Sequence, residues 1–434
     1  MSGRPSSTTP SPGIKSPLVY VALVVAAGLA AGIVGLVMTL CVDALLVIGA
    51  HDDPGPAHWA TVVGVPAAGG LLAGAGWWWL RRGGPVRTVG DALHDGRGLP
   101  LVRTLADAAF QLLAAGTGSS IGRENAPRQG AAVVAAALTR NKNSTSGVAV
   151  ELVAIAAGAG LGAVYNVPLA GAIFAFSVLR ITPTLRTVLT ALAVSGLATV
   201  TAWPVVGHQA FYTLPEFSPS RGLVLAAVAW MVVVMPLAGS IGGAFAAGAD
   251  WAGRHRTPPR WYLPLTVGAA GAAVGVCALV LPPVPGNGFD IIQLTLHLGG
   301  SGALFACLLV AKPLLTVLCL RCGAVGGTLT PALATGASLG GAAAFFFHWT
   351  GLPWMDSEYS IITCALIGAA AVLAVTQRAP LFAAVITWEL TAAPLWLVGP
   401  IVVSALGSFY LAREARRTAA ARKTPTGTAA ATAP

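Results

Sequence analysis

Residues 17–50 form one long apolar run. Wholly helical, such a run spans about 50 Å at 1.5 Å per residue. That exceeds the hydrocarbon core of a bilayer, so the helix is tilted or protrudes. It is also too long for the apolar core of a signal peptide. A second run covers roughly 59–80. Composition extends the point to the whole chain: of 434 residues, 56% are apolar and 9% charged, against about 25% charged in soluble domains. A water-facing surface of this size cannot be clothed with so few charges. The fold class is therefore all-α, a polytopic membrane protein.

The net charge of +10 does not point to nucleic acid, because the basic residues form no stripe interleaved with aromatics. They sit between apolar runs and at the ends: Arg4 and Lys15, then Arg81, Arg82, Arg87, Arg97 and Arg103, then Arg413 to Lys423. The segments holding Asp52 and Asp53, and Asp356 and Glu358, are acidic. This asymmetry predicts that both termini are cytoplasmic. Residues 1–16 and 413–434 read as disordered cytoplasmic tails around a membrane domain over 17–412. Trp77, Trp78 and Trp79 read as an interfacial belt beside the basic loop. Cys319 and Cys322 form a C-x-x-C, better explained by packing than by redox or metal chemistry; no cofactor is expected.

Beyond the second run the apolar segments shorten, and Gly and Pro break them near 116–127, 166–168, 282–288, 323–331 and 378–380. Many segments between the breaks fall short of the roughly 20 residues that a simple span needs. Broken helices at membrane depth survive only against protein or a watery cavity. The pattern thus predicts a pathway. It also repeats. Gly122–Pro127 (GRENAP) and Gly326–Pro331 (GGTLTP) share a Gly-to-Pro spacing, and 153–179 parallels 363–391, with Pro168-Leu169 matching Pro380-Leu381. Two halves, about 17–215 and 219–412, carry the same parts in the same order, which points to a midplane site at their meeting place.

Helix starts expose unpaired N–H groups and the positive end of the dipole. They bind anions without a full positive charge, so the ion can also leave. Glu124 stands at one such start. An ionisable residue at that depth is a functional candidate by default. Its carboxylate can occupy the anion site, and on protonation it can leave and open that site. The competing reading is a static salt bridge from Glu124 to Arg123 or Arg128.

Several motifs then resemble the CLC family of anion channels and exchangers, in that family's order, from about residue 83 to 412. Gly122-Arg123-Glu124-Asn125 is similar to its G-[KR]-E-G-P, and Gly327-Thr328-Leu329-Thr330-Pro331 to its G-x-F-x-P. Tyr165–Gly171 is similar to F-N-A-P-L-A-G; Gly286–Phe289 and Arg378–Leu381 with Glu389-Leu390-Thr391 also fit. The resemblance implies a homodimer in membrane lipid with a separate path in each subunit, inverted-topology repeats and re-entrant helices. It implies Glu124 as the gate and an anion path past Gly84, Gly122, Arg123, Asn125, Gly327, Thr328, Leu329 and Thr330. Chloride or a similar small anion is the expected cargo.

The departures also carry expectations. Gly84 replaces a serine that faces the anion, leaving only a backbone N–H. The coordinating tyrosine expected near residue 420 is absent. Ser177-Val178 stands where exchangers carry paired glutamates, and Val178 cannot relay a proton. That favours a passive channel, with a proton-coupled exchanger as the alternative. Glu389 matches Ser177 in the repeat and is expected to pair with a neighbour such as Arg378 or to cap structure. Lys312, inside an apolar run, is expected to snorkel, find a carboxylate or add positive potential. Gly299-Gly300-Ser301-Gly302 has the look of an intramembrane serine hydrolase with His348 as base, a remote alternative that needs contact between the two.

Overall fold

A computed structural model describes residues 16–49, 58–95, 98–140, 147–351 and 359–423. The first half comprises α1 (Pro17–Gly49), α2 (His58–Arg81), α3 (Val89–Asp95), α4 (Leu101–Gly116), α5 (Asn125–Thr139), α6 (Gly147–Tyr165), α7 (Pro168–Ser177) and α8 (Leu185–Val206). The second comprises α9 (Arg221–Arg254), α10 (Leu263–Ala278), α11 (Phe289–Leu296), α12 (Gly302–Arg321), α13 (Leu329–Trp349), α14 (Tyr359–Gln377), α15 (Pro380–Thr391) and α16 (Leu395–Lys423). Among the described residues, nine helices are long and apolar enough to cross a membrane. Others, such as α7 and α15, are shorter and begin where the sequence breaks.

The two halves match in backbone detail as well as order. Helices α6 and α14 each contain 19 residues. Each is followed by a left-handed non-glycine residue, Asn166 (φ 55°) or Arg378 (φ 55°), two positions before a helix-opening proline. Proline suits that opening because it lacks an N–H that would have no partner there. A second left-handed pair, Arg180 (φ 60°) and Ala392 (φ 46°), lies equally far beyond the two prolines. Gly118 (φ 111°) and Gly323 (φ 115°) likewise turn the chain at the ends of α4 and α12.

Packing follows burial and residue size. The most enclosed spans are α6 and α14, each with 83% of its apolar window buried. They are apolar all round because protein meets them on every side. In α1, α2 and α9 large apolar side chains face outward instead, as Val21, Leu72 and Val232 do. Small residues bring inner helices to backbone contact. A Cβ on Gly336 would lie 2.3 Å from the Gly368 carbonyl oxygen, and one on Gly340 2.1 Å from that of Cys364, so α13 and α14 touch directly. Gly70 and Gly74 do the same for α2 against α10. Gly243 meets nothing within 4 Å, so the small pair with Gly239 seals no such contact.

Two expectations are corrected here. The basic segment from 413 is not irregular from its start: α16 runs on through Lys423, as its Ala- and Arg-rich composition favours. Residues 1–15 and 424–434 lie outside the described residues. Trp77 is no interfacial residue. It is fully buried, and its indole N–H donates to Asp107 Oδ1 at 3.0 Å.

Candidate functional site

The two Gly-to-Pro breaks meet. Gly122 N–H donates to the Gly327 carbonyl at 2.8 Å, and Gly327 N–H donates back to Gly122 at 2.9 Å, closing a single antiparallel bridge. This bridge sets the starts of α5 and α13 side by side. It also uses the amides of both glycines, so neither offers an N–H to an ion. Their contribution is the missing side chain. A Cβ on Gly122 would lie 2.2 Å from Glu124 Oε2, and one on Gly327 1.9 Å from Glu124 Oε1.

Glu124 opens α5 but makes no capping bond to its own helix. Its carboxylate crosses to the other half. Leu329 N–H donates to Oε1 at 2.7 Å, and the Thr330 hydroxyl donates to Oε2 at 3.0 Å. The residue is fully buried. Among the described residues it forms no ion pair with Arg123 or Arg128, so the static salt bridge is not what holds it. Arg123 lies over the rings of Tyr165 (5.8 Å) and Phe211 (5.5 Å), and Arg128 over Phe174 (4.3 Å).

Two cavities approach this point. One, of about 440 Å³, is lined by Arg123, Asn166, Asn287 and Asp290. The other, of about 320 Å³, is lined by Ser177, Val178, Thr328 and Arg378. Helix α7 runs from beside Asn166 to Ser177, a rise of about 15 Å for a helix of its length, so the cavities open at its opposite ends. Glu124 stands between Arg123 of the first and the turn at Thr328 of the second.

The other expected residues divide. Leu329 and Thr330 hold the carboxylate directly. Thr328 faces the second cavity, and its hydroxyl accepts from Gln377 Nε2 at 3.2 Å. Asn125 turns away into a buried network: its Nδ2 donates to Gln111 Oε1 at 2.9 Å, and Gln111 Nε2 donates to Asp107 Oδ2 (2.8 Å) and Gln129 Oε1 (2.9 Å). Gly84 stands apart. Its N–H is taken by the Arg81 carbonyl at 3.0 Å, and its own carbonyl accepts from Arg103 at 2.7 Å. The turn after α2 thus closes on itself, and the Gly84 amide is not left for an ion.

Three further expectations resolve. Glu389 caps α7, accepting from Leu169 N–H at 2.9 Å and Ala170 N–H at 2.6 Å. Arg378 pairs with Asp250 instead, at 2.9 Å. Lys312 neither snorkels nor forms an ion pair among the described residues. It is fully buried, and its Nζ donates to the Val284 (2.8 Å) and Gly286 (2.6 Å) carbonyls, tying down the loop before α11. Ser301 accepts from Leu304 N–H at 3.2 Å as the N-cap of α12, so a helix start explains the Gly-x-Ser-Gly run. Sequence reasoning missed the network of Asp107, Gln111 and Gln129; the signal was Asp107 and Gln111 one turn apart on an apolar helix.

Comparison with known proteins agrees with this geometry. The family model described as "Voltage gated chloride channel" matches residues 69–413. The chain belongs to the CLC family. One CLC relative, a "Putative chloride channel protein ClcB-like" of Ralstonia nicotianae, is 32% identical over 352 residues, covering 77% of this chain and 78% of that protein. The "H(+)/Cl(-) exchange transporter ClcA" of Vibrio cholerae is 29% identical over 314 residues, covering 69% of this chain and 64% of that protein. The solved structure of a slow cyanobacterial Cl-/H+ antiporter superposes with a TM-score of 0.76 at 22% identity, covering 91% of this chain and 94% of that one, and that of a eukaryotic CLC transporter with a TM-score of 0.73 at 19% identity, covering 92% of this chain and 72% of that one. The CLC fold, with its inverted repeats, is thereby established.

Proposed function

We propose that this CLC protein carries chloride or a similar small monovalent anion across the membrane, with Glu124 as its gate. One observation carries the reading: a buried carboxylate from one half sits on the helix start of the other half, between two cavities. A carboxylate held by one N–H and one O–H sits where a free anion would find the same donors. Neutralising it weakens both bonds, frees the site and lets a free anion take its ligands. The basic segments at one side of the spans support cytoplasmic termini in a cell membrane, and the family resemblance supports a homodimer with one path in each subunit.

On coupling, relatives and fold neighbours named as proton exchangers favour exchange over the passive channel that Val178 suggested. We therefore read the protein as a proton-coupled exchanger in which Glu124 takes up the proton. Val178 at the second cavity means that the proton reaches Glu124 without a carboxylate at that position. The test is flux in liposomes without an electrical shunt. A chloride gradient that drives protons uphill supports exchange. Chloride flux with no proton movement returns the reading to a passive channel, and no anion flux under any condition ends it.

A further inference from the structure

A second layer of polar groups lies behind the gate. Thr330 has one hydroxyl hydrogen, and it is committed to Glu124 Oε2 at 3.0 Å. The Tyr165 hydroxyl stands 3.4 Å from the Thr330 oxygen. With the threonine hydrogen already used, Tyr165 is the donor in that pair. Tyr165 and Thr330 are each 1% exposed. The ring of Tyr165 is fixed edge-on against Phe211 at 4.9 Å, and Phe211 stands edge-on to Tyr212 at 5.1 Å. The Tyr212 hydroxyl is buried and has no hydrogen-bond partner among the described residues, so this aromatic cluster holds polar capacity that the resting arrangement leaves unused.

The carboxylate of Glu124 is itself an anion seated here, so its ligands are those a free anion would meet. Once it leaves, Leu329 N–H and Thr330 O–H lose their acceptor inside a buried site. A hydroxyl can rotate away, whereas an amide cannot. Tyr165 opposes that rotation: by donating to the Thr330 oxygen it favours the orientation that aims the threonine hydrogen at the ion position.

Resting on the reading of Glu124 as the gate, we propose that Thr330 is a direct anion ligand and that Tyr165 is its positioning residue. Together they make the site prefer small anions that accept strong hydrogen bonds, such as chloride, over broad and weakly accepting ones, such as nitrate. The Gly84 amide is already taken by Arg81, so Gly84 does not compete for this role.

The test uses full-length protein in the Glu124→Ala background, which empties the site. Chloride and nitrate binding are measured by titration calorimetry, and their relative flux is measured in liposomes. Thr330→Val is expected to weaken chloride binding about tenfold while nitrate changes little, with Thr330→Ser restoring it. Tyr165→Phe, which removes one oxygen, is expected to weaken chloride binding about threefold and narrow the chloride-over-nitrate preference. Should Thr330→Val misfold, Tyr165→Phe and Thr330→Ser decide alone. Folded variants with unchanged affinity and unchanged selectivity overturn the proposal. If Glu124→Ala leaves the pH dependence of flux intact, the gate reading fails instead, whatever the hydroxyl variants do.

Discussion

Replacing Glu124 by Gln tests the gate through a change of charge at nearly constant shape. The carboxylate is held by two short bonds, from Leu329 N–H at 2.7 Å and from the Thr330 hydroxyl at 3.0 Å. In the Glu124→Gln variant the new amide oxygen still accepts from Leu329, while the new NH₂ faces the Thr330 oxygen, which becomes the acceptor. Bonds to a charged group contribute about 1.5–3 kcal/mol and neutral ones about 0.5–1.5 kcal/mol. Two bonds that lose their charge thus weaken the seated state by about 2–3 kcal/mol, a shift of roughly 30–150-fold toward the open state. Protonation of the wild-type residue removes the same charge, so wild-type flux is expected to rise as pH falls. Glu124→Gln is expected to run fast at neutral pH and to lose that dependence. The assay is initial anion efflux from liposomes, taken from mildly acidic to neutral pH. A variant with wild-type rates and the wild-type pH profile would refute the account, because the seated carboxylate would then control nothing.

Other predictions follow from the surrounding contacts. Glu389→Gln removes the charge from the cap on α7 and is expected to lower stability by about 1 kcal/mol, read as a lower thermal midpoint in detergent, with anion selectivity retained. Gln111→Leu leaves the buried Asp107 and the half-buried Asn125 without that partner and is expected to cost about 2–4 kcal/mol, seen in the same melting experiment. Lys312→Met strips the donor from the Val284 and Gly286 carbonyls and is expected to cost about 1.5–3 kcal/mol, with faster proteolysis at the loop before α11. Gly340→Leu drives a side chain into the backbone of α14 and is expected to prevent accumulation of folded protein, measured by size-exclusion profile.

The legible part of this fold lay in its interruptions. Gly and Pro at membrane depth mark helix starts, because backbone physics allows few other uses for them there, and the recurrence of those marks exposed the two halves. Glu124 stood out because a carboxylate in so apolar a setting calls for a function. What stayed hidden required knowing what crosses from one half to the other. The bridge between Gly122 and Gly327 consumes amides that a reading of either motif alone leaves free for an ion. Gly84 looked available for the same reason, yet its turn closes on Arg81. Tyr165 and Thr330 lie 165 positions apart, and no local spacing connects them. Trp77 was misplaced because its partner, Asp107, belongs to a different helix.

The halves exchange carboxylates, and the two exchanges differ in what they can do. Glu124 of the first half reaches the start of α13 in the second; Glu389 of the second reaches the start of α7 in the first. Each satisfies amides that a helix start leaves open. Glu389 binds two successive amides, Leu169 and Ala170, a grip that a rigid backbone makes hard to release. Glu124 binds one amide and one hydroxyl, a grip with one backbone amide fewer. Glu124 also stands between two cavities, one reaching Arg123 and the other Thr328. Similar helix starts thus receive similar carboxylates, and on the gate reading proposed above the difference is that Glu124, unlike Glu389, has one backbone ligand and a cavity on either side.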